Sequence, residues 1–233
     1  MTPIKLYVVR HGKTMFNTIG RAQGWSDSPL TEAGEEGIHE LGAGLKAEGV
    51  PFKMAFSSDS GRTMLTMDIL LEELGLTNQI PYQRDKRIRE WCFGSLDGGY
   101  DSELFVGVLP RTDIFAGRDL NQVPYPELAQ GIYEVDTAGW AETWEELRGR
   151  LLDGFMSIAK SLEADGGGNA LVVSHGMSIG TLVWLLDPKR PKQHIENGSV
   201  TILEFEDGQL SVVSVGDLSY REKGRAIRDA EAK

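Results

Sequence analysis

Apolar residues along this chain follow two kinds of pattern, one typical of buried strands and one typical of helices. Short runs rich in valine, isoleucine and aromatic residues predict five strands: residues 4–9, 53–58, 170–174, 200–205 and 210–215. Between them, apolar residues recur every three or four positions, as on the buried face of a helix. This spacing predicts four helices: from Thr31 to about Gly49, from Ser60 to Gly75, from Trp144 to Leu162, and from Gly176 to just before Pro188.

The alternation of these strands and helices predicts the fold class. Thr31 is a predicted N-cap, Gly75 is predicted to end a helix, and the glycines at 166–168 are predicted to form a turn. Strands separated by helix-length segments form βα units, which place parallel strands side by side and helices on both faces of the sheet. The sequence therefore predicts an α/β three-layer sandwich with a largely parallel central sheet.

Composition limits the size, surroundings and partners of the protein. With 233 residues, of which 40% are hydrophobic, the chain can bury a sizeable core, and we expect one domain over residues 1–233. Acidic residues outnumber basic ones by 35 to 24, so a net charge of −11 offers no field that attracts nucleic acid or anionic lipid. Cys92 is the single cysteine, and we see neither a signal segment nor a membrane-length apolar run. We expect a cytoplasmic protein without nucleic-acid or membrane partners, and a homo-oligomer is left open.

Two similar heptapeptides place histidine at the ends of two predicted strands. VVRHGKT occupies residues 8–14 and VVSHGMS residues 172–178, although the chain has only four histidines. In open α/β sheets, ligands bind beyond the carboxyl ends of the strands, so the two imidazoles are expected to converge there. Gly12 and Gly176 allow a ligand to approach the backbone, and the helix after Gly176 is expected to direct free N–H groups towards it. These features predict an anion site.

Six motifs carry a resemblance to a known family. They are RHGKT with Asn17 downstream, QGWSDSPLTEAG (23–34), SSDSGRTMLT (57–66), REWCFGSLDG (89–98), SHG (174–176) and NGSV (197–200). In this order they resemble the motifs of the histidine phosphatase superfamily, in its phosphoglycerate mutase-like branch, and the resemblance covers most of the chain except about residues 99–139. It implies a phosphoglycerate mutase-like fold, a small phosphorylated metabolite as substrate, and a two-step reaction through a phosphohistidine. We expect no cofactor.

The resemblance also implies residue roles. His11 is the implied nucleophile, and Glu90 is the implied proton donor to the leaving oxygen. Three side chains are implied to bind the phosphoryl group: Arg10, Arg62 and His175. Further contributions to substrate binding are expected from Thr14, Asn17, Gln23, Gly24 and Gly176.

These residue types suit phosphoryl transfer on chemical grounds. Neutral imidazole is nucleophilic near pH 7, and a covalent intermediate divides the transfer into two easier displacements. Guanidinium groups supply paired donors to the charged equatorial oxygens of the transferred group. A protonated His175 would add further positive charge, and Glu90 has to be protonated when it acts on a leaving alkoxide. No cluster of His, Cys, Asp or Glu has metal-ligand spacing, so we expect activity without a metal.

Three functions remain open: a phosphomonoester phosphatase, a phosphoglycerate mutase, and a catalytically silent phosphate-binding module. The mutases of the family are similar in carrying ERHYGxLxGLNK from the catalytic acid, and its final lysine helps to bind substrate. Here the corresponding stretch is EWCFGSLDGGYD, which begins at Glu90 and places Asp101 where the lysine stands. This difference favours the phosphatase over the mutase. A silent module would be expected to lose a reacting group, and none of the five is missing.

Residues 99–139 are expected to determine specificity, because the resemblance fails there. The segment combines aromatic residues and prolines, which predicts a partly helical insertion folded over the crevice, either as a lid or as an ordinary surface excursion. Arg111 and Arg118 are candidates to meet a second anionic group on the substrate.

Overall fold

The computed structural model describes residues 2–113, 115, 117–119 and 122–232. Within them one sheet contains six strands: β1 (Ile4–Arg10), β2 (Phe52–Ser57), β3 (Tyr82–Arg84), β4 (Gly168–Ser174), β5 (Val200–Glu206) and β6 (Gln209–Asp217). Their order across the sheet is β3-β2-β4-β1-β5-β6. Strands β3, β2, β4 and β1 pair in parallel, whereas β5 is antiparallel to β1 and to β6. The prediction of a largely parallel sheet is confirmed.

Seven α-helices surround the sheet in the described part of the chain: α1 (Met15–Ile19), α2 (Glu32–Ala47), α3 (Gly61–Leu74), α4 (Tyr125–Val135), α5 (Trp144–Ala164), α6 (Gly176–Leu186) and α7 (Ser219–Glu231). Helices α2 and α3 share one core with the sheet, and α4, α5 and α6 share a second core. Helix α7 packs against α2. The helices therefore cover both faces, as the α/β three-layer prediction requires.

The centre of strand β4, residues 170–173, is apolar at every position because both of its faces are buried. Ala170 and Val172 pack into the core with α5, whereas Leu171 and Val173 pack into the core with α2 and α3. Because successive side chains of a strand point to opposite faces, a strand covered on both sides needs apolar residues throughout. The continuous apolar run ALVV reflects the burial of both faces of the strand.

The predicted helix ends are confirmed at two positions. Thr31 is the N-cap of α2, and its side-chain oxygen accepts a hydrogen bond from the backbone N–H of Gly34 at 3.0 Å. Gly75 follows α3 in the left-handed conformation, with φ of 69°, which a residue with a side chain adopts at a cost.

The segment 99–139 is partly helical, as predicted. A π-helical turn covers Ser102–Val108, a 3₁₀ turn covers Leu109–Arg111, and α4 follows. Asp136, near the end of the segment, accepts a hydrogen bond at 2.7 Å from the backbone N–H of Ser95, which lies just before the start of the segment. Asp136 also accepts one at 2.7 Å from the backbone N–H of Ala141, just after the segment. Whether the segment moves as a lid stays a prediction.

Candidate active site

The two His-Gly pairs meet at the carboxyl edge of the sheet. His11 directly follows β1 and His175 directly follows β4, and these strands are parallel neighbours in register from Ile4 with Gly168 to Arg10 with Ser174. The imidazole centroids of His11 and His175 lie 5.3 Å apart at an interplanar angle of 64°. Two distant stretches of sequence therefore form one site.

His11 is held as a neutral imidazole with one nitrogen available. Its Nδ1 lies 2.8 Å from the carbonyl oxygen of Gly12, and because a carbonyl can only accept, Nδ1 carries the proton and Nε2 keeps its lone pair. Burial, together with the positive charges of Arg62 and Arg10, lowers the pKa of His11 well below 6.5. This nitrogen is therefore unprotonated at neutral pH.

Arg62 is buried behind His11 by bonds to the loop formed by residues 23–27. Its Nη1 donates to the carbonyl of Ser26 at 2.9 Å and to Asp27 Oδ1 at 2.8 Å, and its Nη2 donates to the carbonyl of Gly24 at 2.8 Å. The ion pair with Asp27 offsets the unfavourable position of a cation in the first turn of α3.

Two arginine donors remain unpaired at the site. The Nε atoms of Arg10 and Arg62 are both buried and have no hydrogen-bond partner among the described residues. Arg10 is held through Nη1, which donates to the carbonyl of Ile195. Buried N–H groups are almost always paired in proteins, so a pair of orphaned cationic donors near His11 suits an anion with several oxygens.

His175 is neutral in this arrangement, and a contribution of positive charge beside a bound phosphoryl group stays a prediction. Its Nδ1 accepts a hydrogen bond from Arg62 Nη2 at 3.0 Å, so its proton lies on Nε2, which donates to Ser58 Oγ at 2.7 Å. Burial and the charge of Arg62 lower the pKa of His175 well below 6.5. Both ring nitrogens are therefore engaged by protein groups, and His175 orients Arg62.

Glu90 binds the start of α6. Its Oε2 accepts from the backbone N–H of Met177 at 2.9 Å, and its Oε1 accepts from the backbone N–H groups of Ser178 at 2.8 Å and Trp91 at 3.0 Å. The Ser178 hydroxyl also donates to Oε1, at 3.0 Å. The sequence predicted that the N–H groups of this helix were free for a ligand, and that is wrong for these two amides because Glu90 occupies them.

A cavity of about 830 Å³ opens beside these groups. Its wall contains six of the predicted site residues: Arg10, His11, Asn17, Gln23, Glu90 and Gly176. The other four are buried: Thr14, Gly24, Arg62 and His175. Thr14 donates to Gln23 Oε1 at 2.7 Å, and the N–H of Gly24 donates to Asp97 Oδ1 at 2.9 Å. These bonds attach both residues to their neighbours at the site, and their expected contribution to substrate binding stays a prediction.

Asp97 is the main contributor that sequence reasoning missed. Besides the Gly24 amide, its carboxylate accepts from the N–H groups of Trp25 at 3.1 Å, Ser26 at 3.0 Å and Phe93 at 3.1 Å. The N–H groups of residues 24–26 thus bind Asp97, while carbonyls of the same loop bind Arg62. Asp97 lies within the GSLDG motif, but nothing in its spacing identifies partners some 70 residues away.

The charged residues near residues 99–139 differ from the sequence expectation. Arg118 lines the cavity and pairs with Glu127. Arg111 is exposed and is not on the cavity wall. Asp101 does lie on the wall. A second anionic group on a substrate would thus meet a carboxylate and an arginine that already has a partner.

Two features of the described ranges concern metals and membranes. No group of three or more His, Cys, Asp or Glu side chains there is arranged to hold a metal ion, and metal-independent activity stays a prediction. In the same ranges no helix has both the length and the apolar character needed to cross a membrane.

Comparison with known proteins identifies the family. The sequence profile of the histidine phosphatase superfamily (branch 1) matches residues 6–218. The chain belongs to this superfamily. The resemblance inferred from its motifs is confirmed.

Relatives within the histidine phosphatase superfamily support the same fold. The chain is 38% identical to a phosphoglycerate mutase from Bacillus anthracis str. Sterne, whose crystal structure matches with a TM-score of 0.89 over 96% of this chain and 97% of that one. It is 29% identical over 226 residues to a Salmonella paratyphi B protein named "Probable phosphoglycerate mutase GpmB", covering 93% of this chain and 94% of that protein. A phosphoserine phosphatase from Entamoeba histolytica, solved with 3-phosphoglyceric acid, matches with a TM-score of 0.69 over 94% of this chain and 99% of that one. At 21% identity that likeness shows the fold alone. The fold is phosphoglycerate mutase-like.

Proposed function

We propose that this protein is a phosphomonoester phosphatase that acts through a phosphohistidine on His11. One observation carries the proposal: a neutral imidazole with a free Nε2 lies on a cavity wall near two arginines whose Nε–H groups have no partner among the described residues. Such a site presents a nucleophile and charge-assisted donors to the same tetrahedral anion.

In the first step, His11 Nε2 attacks phosphorus and the bond from phosphorus to the ester oxygen breaks. Arg10 and Arg62 donate through Nε to the equatorial oxygens, where charge concentrates in the loose transition state. Glu90 gives its proton to the departing oxygen, so the alcohol leaves neutral. Oε1 of Glu90 already accepts three hydrogen bonds and Oε2 accepts one, so we assign the proton to Oε2.

In the second step, water attacks the phosphorus of the phosphohistidine and the bond from phosphorus to Nε2 breaks. The Glu90 carboxylate takes the proton from that water, which restores the acid for the next cycle. His175 acts on the phosphoryl group through Arg62, whose Nη2 it holds at 3.0 Å.

A phosphoglycerate mutase is the second candidate, because the chain is 38% identical to a protein that bears that name. A mutase has to retain a substrate carboxylate close to the site and return the phosphoryl group to another hydroxyl. Asp101 on the cavity wall repels such a carboxylate, since like charges at short range oppose binding. This charge favours release of the product and hydrolysis.

The test compares hydrolysis with transfer. Inorganic phosphate release is measured for a panel of phosphomonoesters, and 3-phosphoglycerate is included with its bisphosphate primer. We expect phosphate release that is unchanged by a chelator, together with an acid-labile phosphoryl label on the protein. His11→Ala should abolish both label and turnover, because no neighbouring group replaces the attacking nitrogen. Efficient primer-dependent formation of 2-phosphoglycerate with little phosphate released would contradict the proposal.

A further inference from the structure

Part of the cavity wall is apolar. Six side chains form it, and we call them the apolar wall: Phe93, Phe105, Val106, Pro110, Leu128 and Met177. Four of them belong to the segment 99–139, in which the sequence departs from its family. Val106 is 74% exposed, so its side chain is accessible to a ligand in the cavity.

The cations beside the apolar wall already have protein partners. Lys192 donates to the carbonyl of Val123 and its Nζ lies 3.9 Å from the ring centroid of Tyr125. Arg21 donates to the carbonyl of Gly98, and its guanidinium carbon lies 4.3 Å from the ring centroid of Tyr100. These contacts fix the positions of both cations, and Asp101 on the same wall disfavours a second anionic group on the substrate.

The size of the cavity also points to a large leaving group. At about 830 Å³ it falls in the range of pockets that bury drug-sized ligands, about 300–1,000 Å³. A phosphoryl group with a three-carbon alcohol fills a small part of that space and leaves the apolar wall in water. A bulky apolar group covers it.

Resting on the phosphatase function proposed above, we propose that the preferred substrates are phosphate monoesters of bulky apolar alcohols, aromatic or branched, that carry no second charged group. The apolar wall is the subsite for the alcohol. Because the alcohol stays bound to the apolar wall in the transition state, this binding raises kcat/KM. Covering about 100 Å² of apolar surface corresponds to a gain on the order of 50-fold.

The experiment uses three primary alkyl phosphates whose leaving groups have similar basicity: propyl phosphate, 3-phenylpropyl phosphate and 4-phosphooxybutanoate. Differences among them then report binding of the alcohol rather than bond cleavage. We expect 3-phenylpropyl phosphate to exceed propyl phosphate in kcat/KM on the order of 50-fold, and 4-phosphooxybutanoate to fall below propyl phosphate.

Variants of exposed valines locate the effect. Val106→Asp should lower the ratio of kcat/KM for 3-phenylpropyl to propyl phosphate on the order of 10-fold, because it adds a charge to the apolar wall. The matched control is Val213→Asp, in which the valine is 48% exposed on β6 and lies off the cavity wall, so the ratio should not change.

The outcomes separate this inference from the function on which it rests. Phosphate release without preference for the phenyl group, or with preference for the carboxylate, overturns the apolar subsite and leaves the phosphatase intact. An equal fall of the ratio in both valine variants also overturns it. No phosphate release from any of the three esters contradicts the phosphatase, and the inference falls with it.

Discussion

Glu90 combines a structural and a chemical task in one carboxyl group. It accepts the first backbone N–H groups of α6 from Met177 and Ser178, at 2.9 and 2.8 Å. An anion at that position is favoured by the positive end of the helix dipole, which contributes about 0.3–1 kcal/mol at exposed sites and more when buried. The proposed acid is therefore also the N-terminal cap partner of the helix that follows His175.

Replacement of Glu90 should separate these tasks. In Glu90→Gln the side chain keeps its shape but cannot donate a full proton, so alkyl phosphates should lose on the order of 100-fold in kcat. An activated aryl phosphate should lose far less, because its phenolate leaves without help. The measurement is kcat for both substrates and the melting temperature, which should fall because the amide satisfies the α6 amides less well.

The control for this variant is His11→Ala, which should lose both substrate classes alike. Equal slowing of alkyl and aryl phosphates by Glu90→Gln, with phosphoryl labelling of His11 intact, would remove Glu90 as the leaving-group acid.

Residue-level prediction succeeded where short motifs hold the information. His11, Arg10 and Glu90 stand within recognisable stretches, and all three lie on the cavity wall. The contacts that set the protonation state of His175 were not predictable, because Ser58 and Arg62 reach it across more than 110 positions. Tautomers follow from three-dimensional hydrogen bonds, and a one-dimensional pattern does not encode them.

At the scale of elements, the loop 23–27 is fixed from two sides. Asp97 binds its N–H groups, and Arg62 binds its carbonyls and Asp27. Asp97 and Arg62 thus position each other through the backbone of the loop 23–27. A displacement of this loop moves Arg62, and a misplacement of about 1 Å can cost on the order of 100-fold in rate.

Asp97→Asn tests this coupling. The amide offers one acceptor oxygen in place of two, so the free energy of unfolding should fall by about 2 kcal/mol. We also expect kcat to fall on the order of 10-fold, and by the same factor for alkyl and aryl phosphates, because Arg62 serves every substrate. Denaturant unfolding and steady-state kinetics measure the two effects.

The matched control for Asp97→Asn is Asp136→Asn. Asp136 also accepts several backbone N–H bonds, among them those from Ser95, Ala138 and Ala141, but it contacts no residue that holds Arg62. It should lose comparable stability with a smaller loss of kcat. If the two variants lost kcat equally, the role of Asp97 would be one of general stability rather than of positioning.

The elements that sequence patterns predicted are those with strong burial. Strands β1 and β4 have long apolar runs and were placed to within two residues. Strand β3 was missed because it has three residues and lies at the sheet edge. Helix α7 was missed because Gly224 is its one buried residue, and ion pairs from Arg221 and Arg225 to Glu40 attach it to α2. Because ion pairs attach α7 to α2, the sequence of α7 carries no apolar stripe that would predict a helix.

For the whole molecule, the two buried imidazoles link folding stability to pH. His11 and His175 have pKa values well below 6.5 in the folded protein, mainly because of burial. The unfolded chain binds a proton at each of them near pH 6.5, whereas the folded protein does not. Stability from these groups is therefore fully present above about pH 6.5 and is lost as the pH falls towards their folded pKa values.

The expected slope below that pH is about 1.4 kcal/mol per pH unit for each histidine. Denaturant unfolding between about pH 7.5 and pH 5.5 measures it, above the range in which most carboxylates titrate. In His11→Ala the slope should decrease by about 1.4 kcal/mol per pH unit, since one of the two groups is gone. Identical slopes for the wild type and the variant would show that His11 binds protons equally in the folded and unfolded states, so that folding does not lower its pKa.

The hydrogen bond from the Ser95 amide to Asp136 closes the base of the segment 99–139. A segment closed at its base in this way can change in sequence and length independently of the rest of the fold. Evolution can rewrite its side chains, its length and its helices without disturbing β1, β4 or the arginines behind them. Such changes would alter the alcohol that is released while the phosphoryl chemistry stays the same.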